Sequence, residues 1–402
     1  MATSPGTQDR TYQRTHPWLN FELDLRRASR RLWMNLGAVQ SKCEHVANAL
    51  VPPTVAEELY HLYLAKGIHG TTSIEGNTLS EDEVRQRIVT KKRLPKSQEY
   101  QGQEIDNIVN ACNEIADTLL HSEAGVRLEP MAIRRYNAVI LNNLPLREDV
   151  HPGEFRRHNV GVADYRGAPP EDCPYLLEKL CEWINSITSE EDDEVIATGV
   201  LRAILAHLYF VWIHPFTDGN GRTARLMEVQ ILLGAGMPTI AAHLLSNFYN
   251  QTRPEYYRQL SIASKSGGKV LPFVEYAVQG LVDSLDRQIK RIRLYQWGVA
   301  WRDYVYQCFR NLKTPAAHRR RTLALELGRN KYRNGVPLRE LITLTPDLAL
   351  EYTPKTPKTL SRDLNVLRRM GLIVRIPPGK VVAKRSMLWS LLPERLDKRR
   401  RR

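Results

Sequence analysis

The sequence lacks most of the features that mark secreted, zinc-binding or membrane proteins. Its five cysteines are scattered through 402 residues without a Cys-x-x-Cys pair, which argues against a disulfide framework and a zinc site. No uninterrupted apolar run reaches the roughly 18 residues of a membrane-spanning helix, and residues 1–6 show no basic and apolar leader. Internal repeats and extended low-complexity tracts are also missing. We therefore expect a cytoplasmic protein without a membrane partner.

Net charge is distributed unevenly along the chain, whose formal total is +14. Residues 291–402 contain 27 Lys and Arg but only 8 Asp and Glu, a net charge of +19, so the first 290 residues carry −5. A surface of this basicity suits a polyanionic partner. The charge therefore predicts a separate basic module, which ends in a charge run at 398–402 that we expect to be disordered.

Apolar residues at helical spacing dominate the chain, which predicts a mainly α-helical fold. An acidic cluster before a strongly apolar run predicts a long buried helix over roughly 194–212. Ser80 with Glu83 three residues later predicts a helix that begins just after Leu79. Glycine, proline and alternating apolar residues interrupt the helical rhythm at 152–170 and 372–391, and each of these segments predicts a β-hairpin.

The predicted buried helix is followed by a short polar loop with the sequence His214-Pro215-Phe216-Thr217-Asp218-Gly219-Asn220-Gly221-Arg222. Pro215 ends the first helix, and the glycines let the backbone approach a ligand closely. Free N–H groups at the start of the next helix bind anions, and Arg222 and Arg225 add two cations on one helical face. A di- or triphosphate is the natural occupant of this loop.

Two side chains of the loop add chemistry to this anion site. Asp218 is a hard oxygen ligand for a Mg²⁺ ion that bridges phosphates, and His214 can accept a proton from a hydroxyl at neutral pH. The set predicts phosphoryl or nucleotidyl transfer, which depends mainly on positioning and charge neutralisation. The alternative is a surface turn after a His-Pro helix terminator, which explains the glycines but not the charged residues around them.

The segment from His214 to Arg222 resembles, position for position, the Fic-family signature H-P-F-x-(D/E)-G-N-G-R, and Arg225 matches the family's second arginine. The resemblance implies a helical Fic core that transfers AMP from ATP to a Ser, Thr or Tyr hydroxyl of a target protein and releases pyrophosphate. It also implies residue roles: His214 as general base, Asp218 as Mg²⁺ ligand, Gly219, Asn220 and Gly221 as anion hole, and Arg222 and Arg225 as phosphate ligands. Transfer from another nucleotide stays open.

Two further segments resemble parts of Fic proteins. The residues from Gly153 to Arg156 and the hairpin that follows are similar to the substrate-binding flap. This implies that a target segment pairs with the flap backbone at Val162, Ala163, Asp164 and Tyr165. An ordinary surface hairpin is the alternative. Tyr256 resembles a family position near the adenine, although paired tyrosines on a helix are also typical of a core.

The segment Thr71-Thr72-Ser73-Ile74-Glu75-Gly76-Asn77 is similar to the family's inhibitory motif, (S/T)-x-x-x-E-(G/N). The resemblance implies that Glu75 pairs with Arg225 in the place of the γ-phosphate and inhibits the enzyme. Glu75 could instead align a water that removes AMP from modified targets. From the residues alone, Thr72 and Glu75 also have the spacing of a capping box, which would place Glu75 at a helix start.

The basic module contains a predicted helix after Thr356, with apolar residues at helical spacing and Gly371 as its end. A basic helix followed by a basic hairpin resembles a winged helix-turn-helix. The resemblance implies DNA contacts from four side chains, Lys358, Ser361, Arg362 and Asn365. A module for packing or protein docking is the alternative.

These observations predict three parts: an N-terminal helical region with the inhibitory motif (1–110), a helical Fic core with a β-hairpin flap (111–290) and a basic winged-helix domain (291–402). The predicted function is an autoinhibited, Mg²⁺-dependent protein adenylyltransferase. The rival hypothesis is a DNA-binding regulator whose nucleotide site acts only as a sensor. The sequence predicts no oligomeric state.

Overall fold

The computed structural model describes residues 10–121, 127–162, 165–189, 191 and 194–388. The chain divides into two compact units, Met1–Ile289 and Lys290–Arg402. The division of 1–110 from 111–290 stays a prediction. The run at 398–402 lies outside the described residues.

The first unit is built almost entirely from helices, which confirms the mainly α-helical prediction. Its elements in chain order are α1 (Thr11–Thr15), α2 (Arg30–Ala47), α3 (Pro53–Ile74), α4 (Glu81–Thr90), α5 (Glu99–Leu120), α6 (Pro130–Ile140), β1 (Gly161–Val162), β2 (Tyr165–Arg166), α7 (Cys173–Ser186), α8 (Val195–Ile213), α9 (Asn220–Gly234), α10 (Thr239–Ala242), α11 (Leu244–Gln251), α12 (Arg253–Lys265) and α13 (Leu271–Phe309). The last helix contains the boundary between the two units.

Helix α8 is the centre of this unit and confirms the predicted buried helix. It packs against α9, α7 and α2, so apolar residues are buried around its whole circumference. It is also the one helix of the described residues that could span a membrane by length and composition alone. Because 78% of that apolar window is buried by the protein itself, α8 is accounted for as a core helix.

The helices around α8 begin and end where the local sequence favours it. Ser80 and Glu83 form the predicted capping box at the start of α4, each accepting a backbone N–H of the other. Helix α3 ends with Glu75 as its C-cap, and Gly76 follows with a φ of +101°. Only glycine adopts such a φ without strain, so the chain turns sharply at this point.

The second unit contains α14 (Pro315–Leu327), β3 (Val336–Pro337), α15 (Pro346–Tyr352), α16 (Pro357–Arg369), β4 (Ile373–Ile376) and β5 (Lys380–Ala383). The strands form an antiparallel sheet in the order β3-β5-β4, with Val374 opposite Val382. The predicted helix after Thr356 and the hairpin around Pro378 are both present. Helix α16 ends at Arg369 with Met370 as its C-cap, and Gly371 follows with a φ of +74°.

Candidate functional site

The loop between α8 and α9 has a left-handed backbone conformation at both of its ends. His214 caps the end of α8 with a left-handed backbone, at φ +51°, and Gly219 precedes α9 at φ +78°. A side chain at Gly219 would also collide with the amide nitrogen of Asn137. Both the backbone angle and the lack of space require glycine here. The loop therefore brings His214 and the start of α9 to one place.

His214 is a neutral imidazole with one free lone pair. Its Nδ1 lies 3.3 Å from the carbonyl oxygen of Val211. Because a carbonyl only accepts, Nδ1 carries the proton and Nε2 carries the lone pair. Burial lowers the pKa of His214 from 6.5 to about 4. At neutral pH the imidazole is therefore uncharged, and Nε2 is unprotonated.

Two asparagines hold the loop in shape. Asn220 accepts the N–H of Phe216 at 3.0 Å and donates to its carbonyl oxygen at 2.7 Å, so its amide closes the loop on itself. Asn137 on α6 donates to the carbonyl oxygen of Asp218 at 2.9 Å. The side chain of Asn220 is thus used within the loop, and the anion-binding groups that remain are backbone N–H groups at the start of α9. Sequence reasoning missed Asn137, which has no motif of its own.

Arg156 ties the flap segment to His214. It is 3% exposed, and its Nε donates to the carbonyl oxygen of His214 at 2.7 Å. The same guanidinium donates to the carbonyl oxygens of His158 and Ala168, on either side of the hairpin. A guanidinium with this many backbone partners acts as a rigid clamp. The sequence placed Arg156 in the flap motif but gave it no role.

Arg222 is held between two carboxylates. Its Nη2 lies 3.2 Å from Oδ1 of Asp218, and its Nη1 lies 2.9 Å from Oε1 of Glu104 on α5. The side chain of Arg222 is 7% exposed, so these are short contacts in a site with little water. Glu104 was not singled out from the sequence, where no motif surrounds it.

Asp218 is suited to bind Mg²⁺ only if water and substrate phosphates complete the coordination shell. Its side chain is 47% exposed, and the described residues hold no cluster of three His, Cys, Asp or Glu side chains that would bind a metal by themselves. Mg²⁺ usually takes one or two carboxylates and completes its shell with water and substrate phosphates. The carboxylate of Asp218, which lies beside an anion site, is consistent with this mode of Mg²⁺ binding.

Arg225 is buried and bound to Glu75. Its side chain is 1% exposed, and Nη2 lies 2.5 Å from Oε1 of Glu75 and 3.0 Å from the carbonyl oxygen of Thr71. Burial raises the pKa of Glu75, but the charge of Arg225 and its hydrogen bond outweigh burial and lower that pKa. Glu75 is therefore ionised at neutral pH.

The carboxylate of Glu75 also covers the start of α9. A side chain at Gly221 would collide with Oε1 of Glu75, so this oxygen lies directly against the backbone of the predicted anion hole. The capping-box alternative is wrong, because Glu75 ends α3 instead of starting a helix. Thr72 instead donates its hydroxyl back to the carbonyl oxygen of Ile68 within α3.

The flap is a short hairpin whose base packs on His214. Gly161 pairs with Arg166, and Val162 pairs with Tyr165. The hydroxyl of Tyr165 donates to the carbonyl oxygen of Trp212 at 2.8 Å. A side chain at Gly167 would meet Cβ of His214 at 2.9 Å. The predicted flap positions Ala163 and Asp164 lie outside the described residues.

Tyr256 lies in the interior, which agrees with the alternative prediction that it is a core residue. It is 2% exposed, and its hydroxyl is 2.8 Å from Nε2 of His207. Its ring stacks on Tyr249 at 4.8 Å between centroids, and burial raises its pKa. The hydroxyl of Tyr256 is therefore used in a contact with His207 in the interior.

The second unit presents the four predicted DNA-contact residues on one exposed face of α16: Lys358, Ser361, Arg362 and Asn365. The opposite face is fixed by Asp363, whose carboxylate accepts from Arg319 at 2.8 Å and Arg320 at 2.6 Å. Its side chain is 1% exposed. Sequence reasoning missed Asp363, although an acidic residue among the apolar positions of a basic helix is a usable signal.

Comparison with known proteins agrees with this arrangement. Residues 128–232 match the Fic/DOC family. The chain is 28% identical over 231 residues to Protein adenylyltransferase Fic of Nematostella vectensis, covering 58% of this chain and 50% of the relative. It is 29% identical over 233 residues to Protein adenylyltransferase Fic of Culex quinquefasciatus, covering 58% and 42%. The chain thus spans about half the length of the curated relatives it matches.

Solved structures agree with the fold. The chain superposes on a Fic family protein from Desulfovibrio desulfuricans with a TM-score of 0.55 at 19% identity, covering 90% of this chain and 98% of that one. It superposes on Fic-1 from C. elegans with a TM-score of 0.52 at 28% identity, covering 65% and 73%. The matched family segment contains the loop after His214 and both arginines of α9. Residues 128–232 of the chain are therefore similar to the Fic/DOC family.

Proposed function

We propose that the chain is a protein adenylyltransferase that transfers AMP from ATP to a Ser, Thr or Tyr hydroxyl of a target protein. The matched relatives from Nematostella vectensis and Culex quinquefasciatus carry that name. The observation that carries the proposal is a neutral His214 at one end of a loop whose other end offers a helix N-terminus and two arginines. This set supplies a proton acceptor, an anion site and charge for a departing pyrophosphate.

The proposed transfer is a single displacement at phosphorus. The hydroxyl oxygen of the target bonds to the α-phosphorus of ATP, and the bond from that phosphorus to the α,β-bridging oxygen breaks. Pyrophosphate leaves with the electron pair, and the hydroxyl proton passes to Nε2 of His214. Arg222, Arg225 and the N–H groups of α9 hold the phosphates. Asp218 would hold Mg²⁺, which supplies further charge neutralisation when bound.

In this proposal Glu75 inhibits the enzyme by competition for Arg225. A carboxylate and a γ-phosphate are both anions that one guanidinium binds, and Glu75 already holds that guanidinium at 2.5 Å. ATP then binds only in a pose that lacks this contact and leaves its α-phosphorus badly placed for the hydroxyl. The isolated protein should therefore be weakly active.

Labelled ATP tests the proposal. Glu75→Gly should increase covalent labelling of the protein itself, and a further His214→Ala should abolish it, since no group then accepts the proton. The matched control is His121→Ala in the same background, which removes an exposed histidine and should leave labelling intact. Labelling that survives His214→Ala, or that never exceeds the parent level in Glu75→Gly, contradicts the proposal.

Two variants of the reaction share this site. Glu75 could align a water that removes AMP from a modified target. Another nucleotide could be the donor, because no contact of the site described here distinguishes one nucleotide base from another. Incubating Glu75→Gly separately with ATP, GTP, CTP and UTP and weighing the product by mass spectrometry identifies the donor. Release of AMP from a labelled target by the parent, but not by Glu75→Gly, would favour removal.

The second unit supports a second candidate function, contact with DNA. The order helix, strand, two helices and hairpin supports the proposal of a winged helix-turn-helix, and one exposed face of α16 carries Lys358, Ser361, Arg362 and Asn365. A gel shift with random duplex at low salt should weaken for Lys358→Ala/Arg362→Ala, since each lost phosphate contact lowers affinity. Arg339→Ala, which removes another exposed cation of the unit, is the control. No shift for the parent would exclude this function.

A DNA-binding regulator with a sensing nucleotide site is the rival to an enzyme. Reversible ATP binding without covalent label would favour the rival, and label that depends on His214 favours transfer. For location we propose the cytoplasm, since all five cysteines are free thiols. Fractionation of cells that express the tagged chain tests this.

A further inference from the structure

A second set of polar contacts joins the turn that carries Glu75 to the loop after His214. Asn77 follows Glu75 by two residues, and its Nδ2 donates to Oε2 of Glu104 at 2.8 Å. The other oxygen of that carboxylate accepts from Nη1 of Arg222 at 2.9 Å. Glu104 therefore links Asn77 to Arg222 through its two oxygens.

Asn77 is fixed on all sides. Its backbone N–H donates to the carbonyl oxygen of Thr72 at 3.1 Å, and its Oδ1 accepts the N–H of Leu79 at 3.1 Å. Its Nδ2 also donates to the carbonyl oxygen of Gln101 at 3.1 Å. With only 7% of its surface exposed, Asn77 makes most of the hydrogen bonds that a buried amide can make. Such a residue holds the turn in one conformation.

The two arginines of α9 are consequently held by one turn in two different ways. Arg225 binds Glu75 directly, whereas Arg222 binds the turn through Glu104 and Asn77. We propose that Asn77 and Glu104 form a second restraint, which keeps the Glu75 turn in place over α9, and that Glu104 positions Arg222.

The proposal predicts how the turn opens. Glu75 can leave Arg225 only as far as its turn moves, and the turn moves freely only when the contact between Asn77 and Glu104 also breaks. Weakening that contact should raise the fraction of molecules in which the turn is open. The consequence for labelling rests on the proposed adenylyltransferase activity, but the opening of the turn does not.

Hydrogen exchange measures the restraint without any catalysis. In the full chain, Asn77→Ala and Glu104→Ala should each speed exchange of residues 72–79 by about tenfold, equivalent to ~1.4 kcal/mol. The double variant should exchange no faster than the faster single variant, since both remove the same contact. Asn113→Ala, an exposed asparagine on the same helix α5, is the control. Exchange in α8 should stay unchanged, which separates local opening from loss of the fold.

Labelling with ATP supplies the second readout, which a purely structural asparagine would not move. Asn77→Ala should increase labelling although Glu75 is present, and it should add nothing in the Glu75→Gly background. The proposed restraint is wrong if residues 72–79 exchange at the parent's rate in both single variants. It is also wrong if the accelerations add in the double variant, or if exchange in α8 is accelerated equally. If Glu75→Gly itself takes no label, the transfer proposal fails while the exchange data still decide the restraint.

Discussion

Replacement of Glu75 by Gln isolates the charge of the contact between Glu75 and Arg225. Gln keeps an oxygen that accepts a hydrogen bond, whereas Gly would also loosen the turn at the end of α3. The side chain of Arg225 is 1% exposed, so the substitution leaves a buried guanidinium without its anion. We expect Glu75→Gln to lower the free energy of unfolding and to create an empty anion site.

The size of the effect follows from burial. Breaking a buried ion pair by removing one partner costs about 3–5 kcal/mol. Because the side chain of Glu75 is 34% exposed and Gln still accepts a hydrogen bond, water and the amide recover part of this cost. We expect a loss of about 2 kcal/mol, which lowers the thermal midpoint by about 3 °C for a unit that spans Met1–Ile289.

Thermal unfolding with and without pyrophosphate is the assay. An anion that binds the variant restores about 2.7 kcal/mol at a concentration 100 times its Kd, and the parent should gain less because Glu75 holds Arg225. Glu81→Gln is the control, since it breaks the more exposed pair with Lys66 and should cost under about 1 kcal/mol. A variant as stable as the parent, or equal stabilisation of both by pyrophosphate, would refute the reasoning.

Three further predictions follow from buried groups. Burial lowers the pKa of His243 to about 4, so the unfolded chain takes up this proton at a higher pH than the folded chain. His243 should therefore contribute about 3 kcal/mol to the fall in stability between pH 6.5 and 4, and urea unfolding of His243→Gln should show a fall that is smaller by that amount. Gly221→Ala forces a methyl group against Glu75 and should lower the free energy of unfolding of the parent by about 1–3 kcal/mol. The same substitution should cost less in the Glu75→Gly background, and equal costs in the two backgrounds of this double-mutant cycle would contradict the contact. Asp363→Ala leaves two arginines unpaired and should cost the second unit about 3 kcal/mol in chemical unfolding, whereas a loss below about 1 kcal/mol would be unexpected.

Local chemistry explains what could be predicted about the fold. The capping box of Ser80, the buried helix before His214 and the hairpin after Gly371 each depend on a few neighbouring residues, and all three are present. The predicted hairpin segments are longer than the strands observed, because glycine and proline mark turns more precisely than they mark strand ends.

The candidate site was predicted from its residues where it is continuous in sequence. Of its distant parts, the resemblance implied the pair of Glu75 and Arg225, and the other contacts were missed. The loop from His214 to Arg222 is one segment, so its residue types already indicate an anion site beside a proton acceptor. Asn137 and Glu104 come from other helices and carry no motif, so nothing local marks them.

The sequence by itself determined a helical protein with a Fic signature and a basic C-terminal module, because spacing, turn residues and charge are properties of neighbouring residues. The tertiary structure decided which groups meet, although the resemblance had already implied that Glu75 pairs with Arg225. Glu75 and Arg225 are 150 residues apart, as Glu104 and Arg222 are 118 apart, and each pair is joined only because α3 and α5 pack against α9. At those contacts the charge and hydrogen bond of Arg225 lower the pKa of Glu75 against the effect of burial, and beside them burial lowers the pKa of His214 and keeps it neutral.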